Sequence, residues 1–78
     1  MKCLVRINTI AAVKEFVDIC IKYDFGIYLL DGNYVIDAKS IMGVFCLNLC
    51  KDITLEAECS DENKLGLLSD LRNFVVEV

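Results

Sequence analysis

The chain contains neither histidine nor tryptophan. Without histidine it lacks the side chain that most often serves as a general base near neutral pH. It also lacks the commonest partner of cysteine in a metal site, and no Cys-x-x-Cys pair is present to complete four ligands. The four glycines stand alone at Gly26, Gly32, Gly43 and Gly66, so no glycine-rich phosphate loop follows a strand. No apolar run reaches the ~18–20 residues that a membrane span requires. The first residues, Met1 to Asn8, carry a charge at Arg6 and no long apolar core, which excludes a signal peptide and places the protein in the cytoplasm. Eight Lys and Arg against twelve Asp and Glu give a net charge of −4, and the basic residues are scattered singly. With no basic stripe there is no electrostatic footing on a phosphodiester backbone, which argues against direct nucleic-acid binding.

What remains is a single domain spanning residues 1–78, with 56% apolar residues. A domain of this size buries about 60–65% of its unfolded surface. So high an apolar fraction leaves surplus surface for a partner or a second copy. The odd number of cysteines (Cys3, Cys20, Cys46, Cys50, Cys59) falls where small apolar residues would. This reads as buried thiols in a reducing compartment. Cys46 and Cys50, four residues apart on one helical face, are too few to hold a metal. Asp31, Asp37, Glu56 and Glu58 are accounted for by turns and a wetted sheet face. No catalytic set and no cofactor site emerge, and the chain reads as a non-enzyme.

Cys3-Leu4-Val5-Arg6-Ile7 alternates as a first strand, with Cys3, Val5 and Ile7 on one face. Asn8 and Thr9 open a helix running from Ile10 to about Tyr23, whose stripe is Val13, Phe16, Val17 and Cys20. Ile27–Leu30 and Tyr34–Asp37 are predicted strands about a hairpin turn at Asp31-Gly32-Asn33. Ser40 to about Leu49 is predicted as the second helix. Ile53 to Cys59 then alternates cleanly, hiding Ile53, Leu55, Ala57 and Cys59 and wetting Thr54, Glu56 and Glu58. Such one-sided alternation means a sheet covered on a single face. Ser60-Asp61-Glu62-Asn63 starts a third helix with an acidic first turn. That helix is expected to turn Leu65, Leu68, Leu71, Phe74 and Val75 inward and to end near Val76. Gly66 within it costs ~1 kcal/mol relative to alanine. The order is β-α-β-β-α-β-α, an α+β domain with three helices on one face of an antiparallel sheet.

The stretch on which the functional reading turns is Ala38-Lys39-Ser40-Ile41-Met42-Gly43-Val44. Ser40 reads as a helix N-cap, its hydroxyl accepting from a backbone N–H two or three residues on. Ile41 and Met42 follow in the first turn, which makes a docking patch rather than a core. In this element order, the seven residues resemble the HPr family of the bacterial sugar phosphotransferase system. The similarity continues in Leu47 and Lys51, in Asp61-Glu62 at the start of the last helix, and in the spacing of Leu68, Leu71, Phe74 and Val75. The resemblance implies an HPr-like open-faced β-sandwich with a four-stranded sheet of order 1-4-2-3.

Members of that family carry phosphate on a histidine at the start of the first helix, followed closely by an arginine and a proline. Here Thr9, Ala11 and Ala12 occupy those places. Thr9 is the degenerate carrier position, and a phosphothreonine ester would lack the transfer potential of a phosphoramidate. Two residues are missing between the second helix and the fourth strand, where Lys51-Asp52 replaces a glycine-bearing turn. Loss of the histidine with retention of the serine resembles the catabolite-repression HPr-like proteins. In that group an ATP-dependent HPr kinase/phosphorylase modifies the serine, and the product binds a LacI-type transcriptional regulator. The resemblance thus implies a regulatory module of carbon catabolite control, switched by phosphorylation at Ser40. Lys39, Ile41, Met42, Gly43 and Phe45 would form its docking surface, with Phe45 where a methionine is usual. A phosphate there adds about −1.5 to −2 charges at a helix N-terminus, changing partner choice without refolding the domain. Two alternatives stand beside this reading. One is a degenerate HPr-fold protein whose apolar second helix makes a homodimer or packs on an unrelated partner. The other is a phosphocarrier of sugar transport that meets enzyme I through a residue other than histidine.

Overall fold

A computed structural model describes residues 1–47 and 51–78. The elements are β1 (Lys2–Val5), α1 (Ile10–Ile21), β2 (Ile27–Asp31), β3 (Tyr34–Asp37), α2 (Ile41–Phe45), β4 (Ile53–Ala57), α3 (Asp61–Asp70) and β5 (Val75–Glu77). All strand pairs are antiparallel, in the order β3-β2-β4-β1-β5. Among the first four strands this is the expected order 1-4-2-3. The sheet has five strands rather than four, because β5 adds itself outside β1.

That fifth strand corrects the expected end of the last helix. α3 stops at Asp70, and the chain turns through Leu71 and Phe74 before pairing with β1. Phe74 reaches the core and meets Phe16 of α1 edge-on, with ring centroids 5.6 Å apart. Its carbonyl accepts from the Arg6 N–H at 2.9 Å. The outer edge of β1 would otherwise present unpaired backbone groups, and β5 satisfies part of it. A long-range pairing thus displaces a helical continuation that the local pattern favours.

Local chemistry explains most of the other elements. Thr9 caps α1 with its Oγ1 accepting from the Ala12 N–H at 3.0 Å, and Val13, Phe16, Val17 and Cys20 form the buried stripe. The β2–β3 hairpin turns at Gly32, whose φ of 60° lies where a side chain would be strained. In β4, Ile53, Leu55 and Ala57 are buried while Thr54 and Glu56 are half-buried on the opposite face. β4 ends at Ala57, so Cys59 lies beyond the strand and is half-buried. β1 likewise ends at Val5, although Ile7 remains in the core.

Two helices depart from expectation. α2 ends at Phe45, with Cys46 as its C-cap, instead of running to about Leu49. Of the expected remainder, Asn48 and Leu49 lie outside the described residues, as does Cys50, half of the Cys46–Cys50 pair. In α3 the inward residue is Leu67, fully buried, whereas Leu65 is 75% exposed and Leu68 is half-buried. Leu67, Leu71 and Phe74 follow an i, i+4, i+7 spacing that is as helical as the expected one and shares Leu71 and Phe74 with it. Among the described residues no helix is long and apolar enough to cross a membrane.

Candidate functional site

The Ser40 region is built by a tight turn that leads from β3 into α2. Asp37, the last residue of β3, accepts the Lys39 N–H through Oδ1 at 2.9 Å and the Ser40 N–H through its own carbonyl at 3.0 Å. This side-chain-braced turn fixes the backbone on either side of Lys39. Ser40 is extended (φ −101°, ψ 108°), as an N-cap requires, and its Oγ accepts from the Gly43 N–H at 3.2 Å. Its carbonyl accepts from the Val44 N–H at 3.0 Å. Ser40 is exposed.

α2 turns Val44 into the core and leaves Ile41, Met42 and Phe45 outside, at 37%, 71% and 40% exposure. Gly43 faces β3: a Cβ added there would stand 2.9 Å from Ile36 Cγ2. The helix rests against both α1 and β3, so the apolar side chains occupy a supported ledge. Three exposed large apolar side chains thus stand next to the Ser40 hydroxyl.

Lys39 is placed differently from its five neighbours in the site. It is half-buried, and its ammonium donates to the Tyr23 carbonyl at 2.6 Å, at the end of α1. Tyr23 in turn donates its hydroxyl to Asp70 Oδ2, at the end of α3. This hydrogen bond, aided by partial burial, holds the Tyr23 hydroxyl protonated and pushes it up to about 12. Behind the turn, burial pushes the Cys20 thiol up to about 12, with the Lys39 ammonium opposing that rise. Cys20 is therefore an inert packing group and no nucleophile. Burial raises Cys3 as well.

Thr9 stands at the mouth of α1, exposed, with its oxygen engaged as the cap of Ala12 N. Ile10 follows it at 74% exposure. Thr9 and Ser40 are thus N-caps of two helices that pack on each other. Neither has a carboxylate among the described residues bonded to its hydroxyl oxygen. Among the described residues no three His, Cys, Asp or Glu side chains gather as a metal ion would require. A shallow cleft of about 210 Å³ opens elsewhere, where the chain end lies beside β1, lined by Lys2, Cys3, Leu4, Thr54, Glu77 and Val78. It shares no residue with the Ser40 site.

Sequence reasoning missed Tyr23, Asp37 and Asp70 as supports of the site. Asp37 carries a readable signal, an Asp two residues before the N–H that it accepts. The Lys39–Tyr23 and Tyr23–Asp70 links cross 16 and 47 residues and leave no local trace.

The backbone as a whole superposes on solved phosphocarrier proteins. Over 91% of this chain and 89% of the other, the structure superposes on HPr-C-His from Thermoanaerobacter tengcongensis with a TM-score of 0.72 and 26% identity. The chain has an HPr-like fold. The phosphocarrier protein HPr from Bacillus anthracis str. Ames gives a TM-score of 0.62 at 23% identity, over 90% of this HPr-like chain and 94% of that one. No protein-family model and no curated protein sequence matches the chain. The likeness is carried by backbone architecture more than by sequence, and it extends over nearly the whole chain.

Proposed function

We propose that this HPr-like chain is a non-catalytic regulatory module of the phosphotransferase system, docked through α2 and switched by phosphorylation of Ser40. The observation that carries this reading is the exposed Ser40 hydroxyl on a braced turn, directly beside exposed Ile41, Met42 and Phe45. A kinase can reach the oxygen, and a partner can read both the apolar ledge and the charge next to it. Transfer of the γ-phosphoryl group of ATP to Ser40 Oγ releases ADP and the hydroxyl proton. It replaces a neutral cap with about −1.5 to −2 charges. α2 is only five residues long, so its dipole contributes less to holding that charge than a full-length helix would. The switch works by changing what partners meet. By resemblance, the kinase is an HPr kinase/phosphorylase and the reader a LacI-type regulator in the cytoplasm, in carbon catabolite control.

No histidine exists to form a phosphoimidazole, and Thr9 is engaged as a helix cap, which disfavours a carrier role in sugar transport with enzyme I. The exposure of Met42 supports a second reading, in which α2 pairs with a second copy or with an unrelated protein. The deciding experiment incubates the protein with ATP and an HPr kinase and measures its mass. One added phosphate, absent in Ser40→Ala, is expected. No mass change under conditions that modify an ordinary HPr overturns the proposal. Gel filtration of Met42→Asp tests pairing with a second copy, which requires the native protein to elute as a dimer and the variant as a monomer.

A further inference from the structure

We propose that Lys39 is a latch between Ser40 and the end of α1, and that a phosphate on Ser40 draws its ammonium away from the Tyr23 carbonyl. The inference rests on Ser40 as the modified residue and adds what the modification does inside the domain. The C-terminal end of a helix carries a partial negative charge and unpaired carbonyls, normally met by a basic residue in the last turn. α1 has no basic residue in its last turn, and the side chain of its C-cap, Lys22, belongs to an exposed residue. Lys39 brings a cation from a different part of the chain, with its Nζ 2.6 Å from the carbonyl oxygen of Tyr23, the residue that follows the cap.

The backbone on both sides of Lys39 is tied to Asp37, so the freedom left to this residue is in its side chain. In the unmodified protein the neighbouring Ser40 oxygen is a neutral acceptor already engaged by the Gly43 N–H. It offers the ammonium no net charge, and the helix end wins. A phosphate on the adjacent residue reverses that ranking. It brings about −1.5 to −2 charges within reach of a flexible four-carbon stem, against roughly half a charge at a helix terminus. An ammonium–phosphate hydrogen bond is charged on both partners, whereas the bond to the Tyr23 carbonyl is charged on its donor alone.

Release of Tyr23 has consequences beyond the turn, because the same residue holds Asp70 at the end of α3. Modification at Ser40 is therefore felt at the junction of α1 and α3, as well as on the α2 ledge. Lys39 acts here as a positioning residue, and its charge becomes part of the docking surface only after phosphorylation.

The test installs phosphoserine at position 40 of the full chain by genetic encoding, which removes any dependence on a kinase. The readouts are the Tyr23 carbonyl ¹³C shift and the exchange rates of the Lys22 and Tyr23 amides, in the native background, in Lys39→Gln and in Lys39→Arg. Phosphoserine is expected to move the Tyr23 shift to its value in unmodified Lys39→Gln. It should also speed the two amides by about two- to fivefold, the factor that one charge at a helix end is worth. In Lys39→Gln phosphoserine should change neither readout, and in Lys39→Arg the response should return. An unmoved Tyr23 shift in the native background, or an equal change in Lys39→Gln, overturns the latch. A failed latch with successful kinase labelling leaves the proposed function standing. The reverse result removes the proposed function alone.

Discussion

Replacing Gly43 by alanine probes the docking of α2, and Gly66 provides the control within the same molecule. Both glycines lie inside helices, where alanine is favoured by ~1 kcal/mol. At Gly66 an added Cβ meets nothing within 4 Å, so Gly66→Ala should deliver the whole gain. At Gly43 the Cβ would stand 2.9 Å from Ile36 Cγ2 and 3.3 Å from Ser40 Oγ. The Ile36 methyl is fixed to a branched Cβ and cannot swing aside cheaply. Such overpacking costs about 1–3 kcal/mol, so Gly43→Ala should be destabilised by about 0–2 kcal/mol net. A domain of this length is stable by about 4–12 kcal/mol, which makes the difference readily measurable. Each kcal/mol shifts the melting temperature by about 4–8 °C. Melting followed by circular dichroism should therefore place Gly66→Ala above the native protein and Gly43→Ala at or below it. In an Ile36→Ala background the Gly43 penalty should vanish and become a gain. If Gly43→Ala raises the melting temperature as much as Gly66→Ala does, α2 is not seated against β3 as described. The support for the Ser40 ledge would then be lost.

Two further outcomes test the parts of the fold that the sequence alone misjudged or missed. Leu67→Ala should cost about 2–5 kcal/mol in urea unfolding because Leu67 is fully buried, while Leu65→Ala, three-quarters exposed, should stay within about 0.5 kcal/mol of the native protein. Equal losses at the two positions would refute the orientation of α3. The Tyr23 hydroxyl, raised to about 12 mainly by its bond to Asp70, stabilises the fold in its protonated form. Its contribution should be complete below pH about 10 and should fade as the pH climbs to about 12. Tyr23→Phe should lose the part of the stability slope that falls in this window, and identical slopes in the two proteins would refute the pairing.

The sequence by itself determined the elements whose signals are local. Period-two alternation placed a strand over Ile53–Cys59, of which Ile53–Ala57 forms, a stripe of Val13, Phe16, Val17 and Cys20 placed α1, and Asp31-Gly32-Asn33 placed the hairpin turn. Side-chain oxygens placed the caps at Thr9 and Ser40, since each bonds an amide only three residues away. Tertiary structure decided what distant partners control. Phe74 and Val75 read from the sequence as the end of a helix, and pairing with the open edge of β1 makes Val75–Glu77 a strand instead. Leu65 and Leu67 lie on alternative stripes of one helix, and only docking on the core chooses between them. Lys39 looked like a surface charge beside Ser40. Its ammonium instead donates to the Tyr23 carbonyl just past α1, because folding brings that acceptor within reach of a long flexible cation.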